Sequence, residues 1–112
     1  RNHSSAASDV YKRQFTGKLF VPIVASHEKG LTVHDQLRTI ARQCYAWSMP
    51  YGVSFEEKKD VIDGQIASDS LRERLEMAVQ DIATYGTLLT RARQAGLAGS
   101  EPTFMAQLRR KD

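Results

Sequence analysis

Ser70-Leu-Arg-Glu-Arg-Leu-Glu-Met-Ala-Val-Gln-Asp-Ile-Ala-Thr-Tyr-Gly-Thr-Leu-Leu-Thr-Arg-Ala-Arg-Gln-Ala-Gly96 is the stretch on which the fold turns. Leu71, Leu75, Ala78, Ile82, Tyr85, Leu89 and Ala92 alternate spacings of four and three, which is the signature of one helical face. Val79 and Leu88 flank that seam and widen it beyond a two-stranded coiled-coil stripe, as burial inside a bundle requires. Ser70 and Glu73 form a capping box, and Gly96 supplies a C-terminal stop. The pattern predicts a helix over 71–95, packed within the molecule or paired through the same seam with a second copy.

Working outward, the preceding residues read as two further helices. Ser54 and Glu57 make another capping box, with Phe55, Ile62 and Ile66 on an inner face, predicting a helix over 55–67. Val33, Leu37, Ile40, Ala41, Cys44 and Trp47 recur at three and four, predicting a helix over 33–48 capped by Thr32 and stopped by Met49-Pro-Tyr-Gly52. Pro102 opens a short last helix over 102–110 with Phe104, Met105 and Leu108 as anchors. Residues 15–30 read as an extended arm and turn, because Pro22 interrupts the apolar run Leu19 to Ala25. The expected fold is therefore all-α, a small three- to four-helix bundle over 31–112 preceded by a short extended N-terminal arm.

Residues 4–14, Ser4-Ser-Ala-Ala-Ser-Asp-Val-Tyr-Lys-Arg-Gln14, resemble the in-frame translation of a transposase-based sequencing-library adapter. The resemblance implies that residues 1–14 are an adapter-derived tail outside the fold, the alternative being a disordered Ser/Ala-rich tail, and that the chain is a metagenomic fragment whose natural N-terminus is missing. It also corrects the charge. The whole chain has 16 basic and 13 acidic residues, and removing Arg1, Lys12, Arg13 and Asp9 leaves thirteen against twelve. A near-neutral domain gives no bulk electrostatic case for nucleic acid.

At 112 residues with 41% hydrophobic and 26% charged, the composition is that of one small globular domain. No apolar run approaches a bilayer-spanning length, so no membrane partner is expected. Signatures of chemistry are missing. There is no phosphate-binding glycine loop, dinucleotide fingerprint or nucleophile elbow. Cys44 lies between Ile40 and Trp47 on an apolar face, the usual setting of a small buried hydrophobe. His27, His34 and Asp35 lack a fourth converging ligand for a metal. The sequence accordingly predicts no enzyme, no cofactor and no metal; His34 and Cys44 are the first residues to probe for an activity.

Two surfaces remain. Tyr45, Trp47, Met49 and Tyr51 crowd one segment, and such aromatic and Met clusters populate interface centres as well as cores. Arg91, Arg93, Arg109, Arg110 and Lys111 form the one basic concentration. The leading expectation is a non-catalytic, cytoplasmic interaction or assembly module acting through oligomerisation or a protein partner, with the character of a C-terminal fragment of a larger protein. The alternative is a small nucleic-acid-associated regulator using the basic patch.

Overall fold

The computed structural model describes residues 13–26 and 31–106. Its architecture is mixed α/β, which overturns the all-α bundle. Among the described residues nine elements follow in order: β1 (Leu19–Phe20), β2 (Ile23–Ala25), α1 (Leu31–Gln43), β3 (Trp47–Ser48), β4 (Val53–Phe55), α2 (Glu57–Asp60), β5 (Val61–Ile62), β6 (Gln65–Ile66) and α3 (Asp69–Ala98).

The centre is a strand–helix–strand unit. β1 pairs parallel with β3, Leu19 opposite Trp47, and β2 pairs parallel with β4, Ile23 opposite Val53. Parallel neighbours need a crossover, and α1 is that crossover. Each long strand is broken into two short pieces, at Val21-Pro22 on one side and at Met49-Pro50-Tyr51-Gly52 on the other. The expected arm is thus a paired strand, in two pieces on either side of Val21-Pro22.

Alternation along β4 sets the layers. Val53 is buried with Leu71 and Ala78, and Phe55 packs against the same cluster. Ser54, pointing the other way, meets His34 of α1. Successive side chains of a strand face opposite sides, so α3 covers one face of the sheet and α1 the other. Val24, opposite Ser54 in the ladder, is buried on the α1 side.

α1 stops at Gln43, short of the expected 48, with Tyr45 in the left-handed region at φ 58. The Ala46 amide bonds back to the Ala41 carbonyl at 2.9 Å, closing the terminal turn around Tyr45. Cys44 and Trp47 keep helical spacing, but Trp47 and Met49 fit a period of two equally well, and ladder bonds to Lys18 and Phe20 decide for the strand. The second expected helix, 55–67, shrinks to the four residues of α2. Asp63 and Gly64, at φ 52 and 74, then make the two-residue turn that joins β5 to β6 as a hairpin. Asp-Gly between Ile62 and Gln65 favours this turn because its backbone twist matches that of the strands.

α3 is the helix expected at 71–95, extended at both ends. Its cap is Ser68, whose hydroxyl accepts the Leu71 amide at 3.1 Å, in place of Ser70. It runs past Gly96 to Ala98, where Gly99 adopts the left-handed conformation. Gly96 is needed for space: a Cβ there would sit 2.7 Å from that of Met105 in the returning chain. Of the last expected helix, 102–110, residues 102–105 are irregular chain and turn rather than helix, and 107–110 lie outside the described residues.

The core lies between β4 and the first half of α3. Leu71, 1% exposed, is its largest member. Leu71→Ala is expected to cost about 2–5 kcal/mol in urea unfolding. Val79→Ala on the same helix, at a site 63% exposed, is expected to stay within about 0.5 kcal/mol.

Candidate functional site

Two features stand out on the surface: a polar cleft beside the core and an apolar face along α3. The cleft, of about 570 Å³, opens between α1, the Pro50–Gly52 turn, β4 and Arg74 of α3. Its inner wall is the His34–Ser54 pair, Nε2 to Oγ at 2.8 Å. His34 is 5% exposed, and its Nδ1 is buried with no hydrogen-bond partner among the described residues. An N–H at Nδ1 would be a buried donor without an acceptor, at a cost of about 1–3 kcal/mol. The geometry therefore favours donation from Nε2 to the serine, and in that arrangement the imidazole cannot draw a proton off Ser54. It works as a clamp between α1 and β4. Gly52 leaves room for the ring, since a Cβ there would lie 2.6 Å from it and 2.7 Å from Pro22.

Of the four charged residues lining the cleft, Arg38, Asp60 and Arg74 are tied into structure. Arg74 donates to the Ser54 carbonyl at 2.6 Å. Arg38 lies 3.7 Å from Asp35, an exposed pair on one helical turn. Asp60 accepts the Glu56 amide at 2.8 Å, closing the turn that α2 makes before the hairpin. That hydrogen bond, a second from Ser68 and the charges of Arg74 and Lys59 hold its carboxyl below the ordinary value, against the opposing effect of burial. Tyr51 donates its phenol to the Asp81 carboxylate of α3. This bond, partial burial and the negative charge of Asp81 push its pKa up to about 12.

The apolar face is where the expected interface quartet resolves. Tyr45 and Trp47 are exposed, Met49 is buried and Tyr51 is half-buried against Asp81. Phe104, from the chain after α3, sits edge-on to both Tyr45 and Trp47 with ring centroids 6.3 Å apart. Beneath Trp47 and Phe104 lies a hollow of about 260 Å³ lined also by Leu89, Ala92 and Met105. Tyr85 and Leu88 continue the surface along α3. Sequence reasoning placed Tyr85 and Leu88 on a buried face. Their exposure follows from the narrowness of a two-stranded sheet, which cannot cover a thirty-residue helix.

The basic patch separates. Arg91 is exposed, whereas Arg93, two residues on and about 200° around the helix, donates to the carbonyls of Thr16 at 2.8 Å and Arg13 at 3.2 Å. Arg109, Arg110 and Lys111 lie outside the described residues, as does His27. Cys44 is half-buried in the wall of a small apolar cavity between β1 and α1. Among the described residues no helix is long and apolar enough to cross a membrane. Comparison with protein-family models, curated proteins and solved structures finds no match to this chain.

The two perturbed groups set the pH response. Tyr51 is raised, so its contribution to stability is complete below pH 10 and is lost as pH climbs through about 12. A tyrosinate absorbance titration is expected to show a late component that Tyr51→Phe removes. Asp60 is lowered, so its contribution is present above the ordinary carboxylate range and disappears as pH falls through its folded value. Asp60→Asn is expected to flatten the acid limb of the urea midpoint against pH. Gly52→Ala, which must displace the His34 ring, is expected to cost about 1–3 kcal/mol.

Proposed function

We propose that this chain is a non-catalytic protein–protein interaction module whose binding face is the apolar surface formed by Trp47, Phe104 and the exposed flank of α3. One observation carries the reading. Among the described residues large apolar side chains stand exposed around this hollow and along α3, Trp47 51% and Leu88 54%. A contiguous apolar surface on a small domain costs solubility and marks a docking site for another protein. Aromatic residues over a shallow hollow suit the centre of such an interface, where a few anchors supply most of the affinity. The single cysteine, Cys44, cannot form an internal disulfide, which suits a reducing compartment such as the cytoplasm.

The test separates a binding face from a core. Trp47→Lys and Leu88→Lys are expected to reduce binding of an apolar fluorescent dye while leaving the urea midpoint within about 0.5 kcal/mol of the parent. Cooperative unfolding of either variant under native conditions would mean that these side chains hold the domain together, and the reading would fall.

A further inference from the structure

We infer that the polar cleft beside the core binds a short zwitterionic peptide, about two residues long with both ends free, its carboxylate on Arg38 and its ammonium on Glu56. This site is separate from the apolar face and shares no residue with it.

The cleft spends its charges unevenly. Four charged residues line it, two of each sign, and among the described residues none forms an ion pair with another. Arg74 and Asp60 are committed: the guanidinium holds the Ser54 carbonyl, and the carboxylate accepts the Glu56 amide and a bond from Ser68. The other two have capacity left. The half-buried side chain of Glu56 makes no hydrogen bond or ion pair among the described residues. Arg38 has only the exposed carboxylate of Asp35, 3.7 Å away on its own helix, which is too long for a hydrogen bond. An exposed pair of this kind is readily exchanged for a better one, and a guanidinium takes a free carboxylate through two parallel bonds.

The fold holds these two groups apart. α1 is the crossover between parallel strands, so it runs opposite to β4. From the His34–Ser54 contact, Arg38 lies one turn on along α1, and Glu56 lies two residues on, just past β4, in the other direction. Four residues of helix rise about 6 Å and two of strand about 6.6 Å, so about 12 Å separates the two backbone positions. A hydrogen bond of about 3 Å at each end leaves about 6 Å, the length of two extended residues. A simple anion or cation would meet a group of its own sign in the same cleft, whereas a chain with one charge at each end meets the opposite sign at both. Leu31 and Phe55 towards the Glu56 end, and Pro50 towards the Arg38 end, supply apolar wall for its side chains. The volume of about 570 Å³ lies within the ordinary range of small-ligand sites.

Amide NMR titration of the full chain with leucyl-phenylalanine tests this. The expected result is saturable shifts at Gly52 and Glu56 with Kd below about 1 mM. Acetylating the amine of the peptide, or amidating its carboxylate, is expected to weaken binding about tenfold each. In Glu56→Gln the acetylation penalty is expected to vanish while the amidation penalty stays, and in Arg38→Gln the reverse. Cleft amides that do not move at about 10 mM peptide overturn the site. Equal binding of the parent and blocked peptides overturns the recognition of both ends. Penalties that persist undiminished in both variants overturn the assignment to Arg38 and Glu56. None of these outcomes bears on the dye result at Trp47 and Leu88.

Discussion

Everything in this domain hangs on the contact between β4 and the first half of α3. Two short parallel strands have no stability of their own in water, and parallel ladders persist only when both faces are covered. Val53, Leu71 and Ala78 provide that cover on one side, and the His34–Ser54 clamp ties α1 down on the other. Arg93 completes the frame by reaching from α3 to the carbonyls that precede β1. Remove the β4–α3 contact and the crossover has nothing to close against.

The long helix was legible because its seven seam positions repeat over three heptads, and no other element explains such a run. The strand–helix–strand unit was not. Its strands are two or three residues long, too short to establish a period, and Trp47 keeps step with the helix before it. The hairpin carried a local signal in Asp63-Gly64, between Ile62 and Gln65, which the capping box at Ser54 and Glu57 outweighed. Ser54 in fact lies in a strand with its hydroxyl on an imidazole. A capping residue type favours a helix start without being required for one, as the uncapped α2 shows, and a strand end uses the same residue.

The site was legible in part. Tyr45, Trp47, Met49 and Tyr51 are two residues apart and would share one face of an unbroken strand. The left-handed turn at Tyr45 and the end of β3 at Ser48 part the exposed Tyr45 and Trp47 from the buried Met49. Phe104 entered the cluster only through the return of the chain after Gly99, a tertiary event without a local signature. The cleft could not be foreseen, because His34 and Ser54 lie twenty residues apart and meet only when a parallel ladder brings β4 beneath α1.

The prolines that split each strand have a further effect. Among the described residues each two-stranded sheet has two unpaired outer edges, and an unbroken edge is a template on which stray chains can grow into fibrils. Pro22, whose carbonyl accepts the Val53 amide, interrupts the inner ladder and Pro50 lies just past β3, so among the described residues no strand offers more than three consecutive ladder residues. A molecule with this much oily surface therefore keeps its stickiness on side chains, where shape can select the companion, and away from the backbone, where any sequence would do.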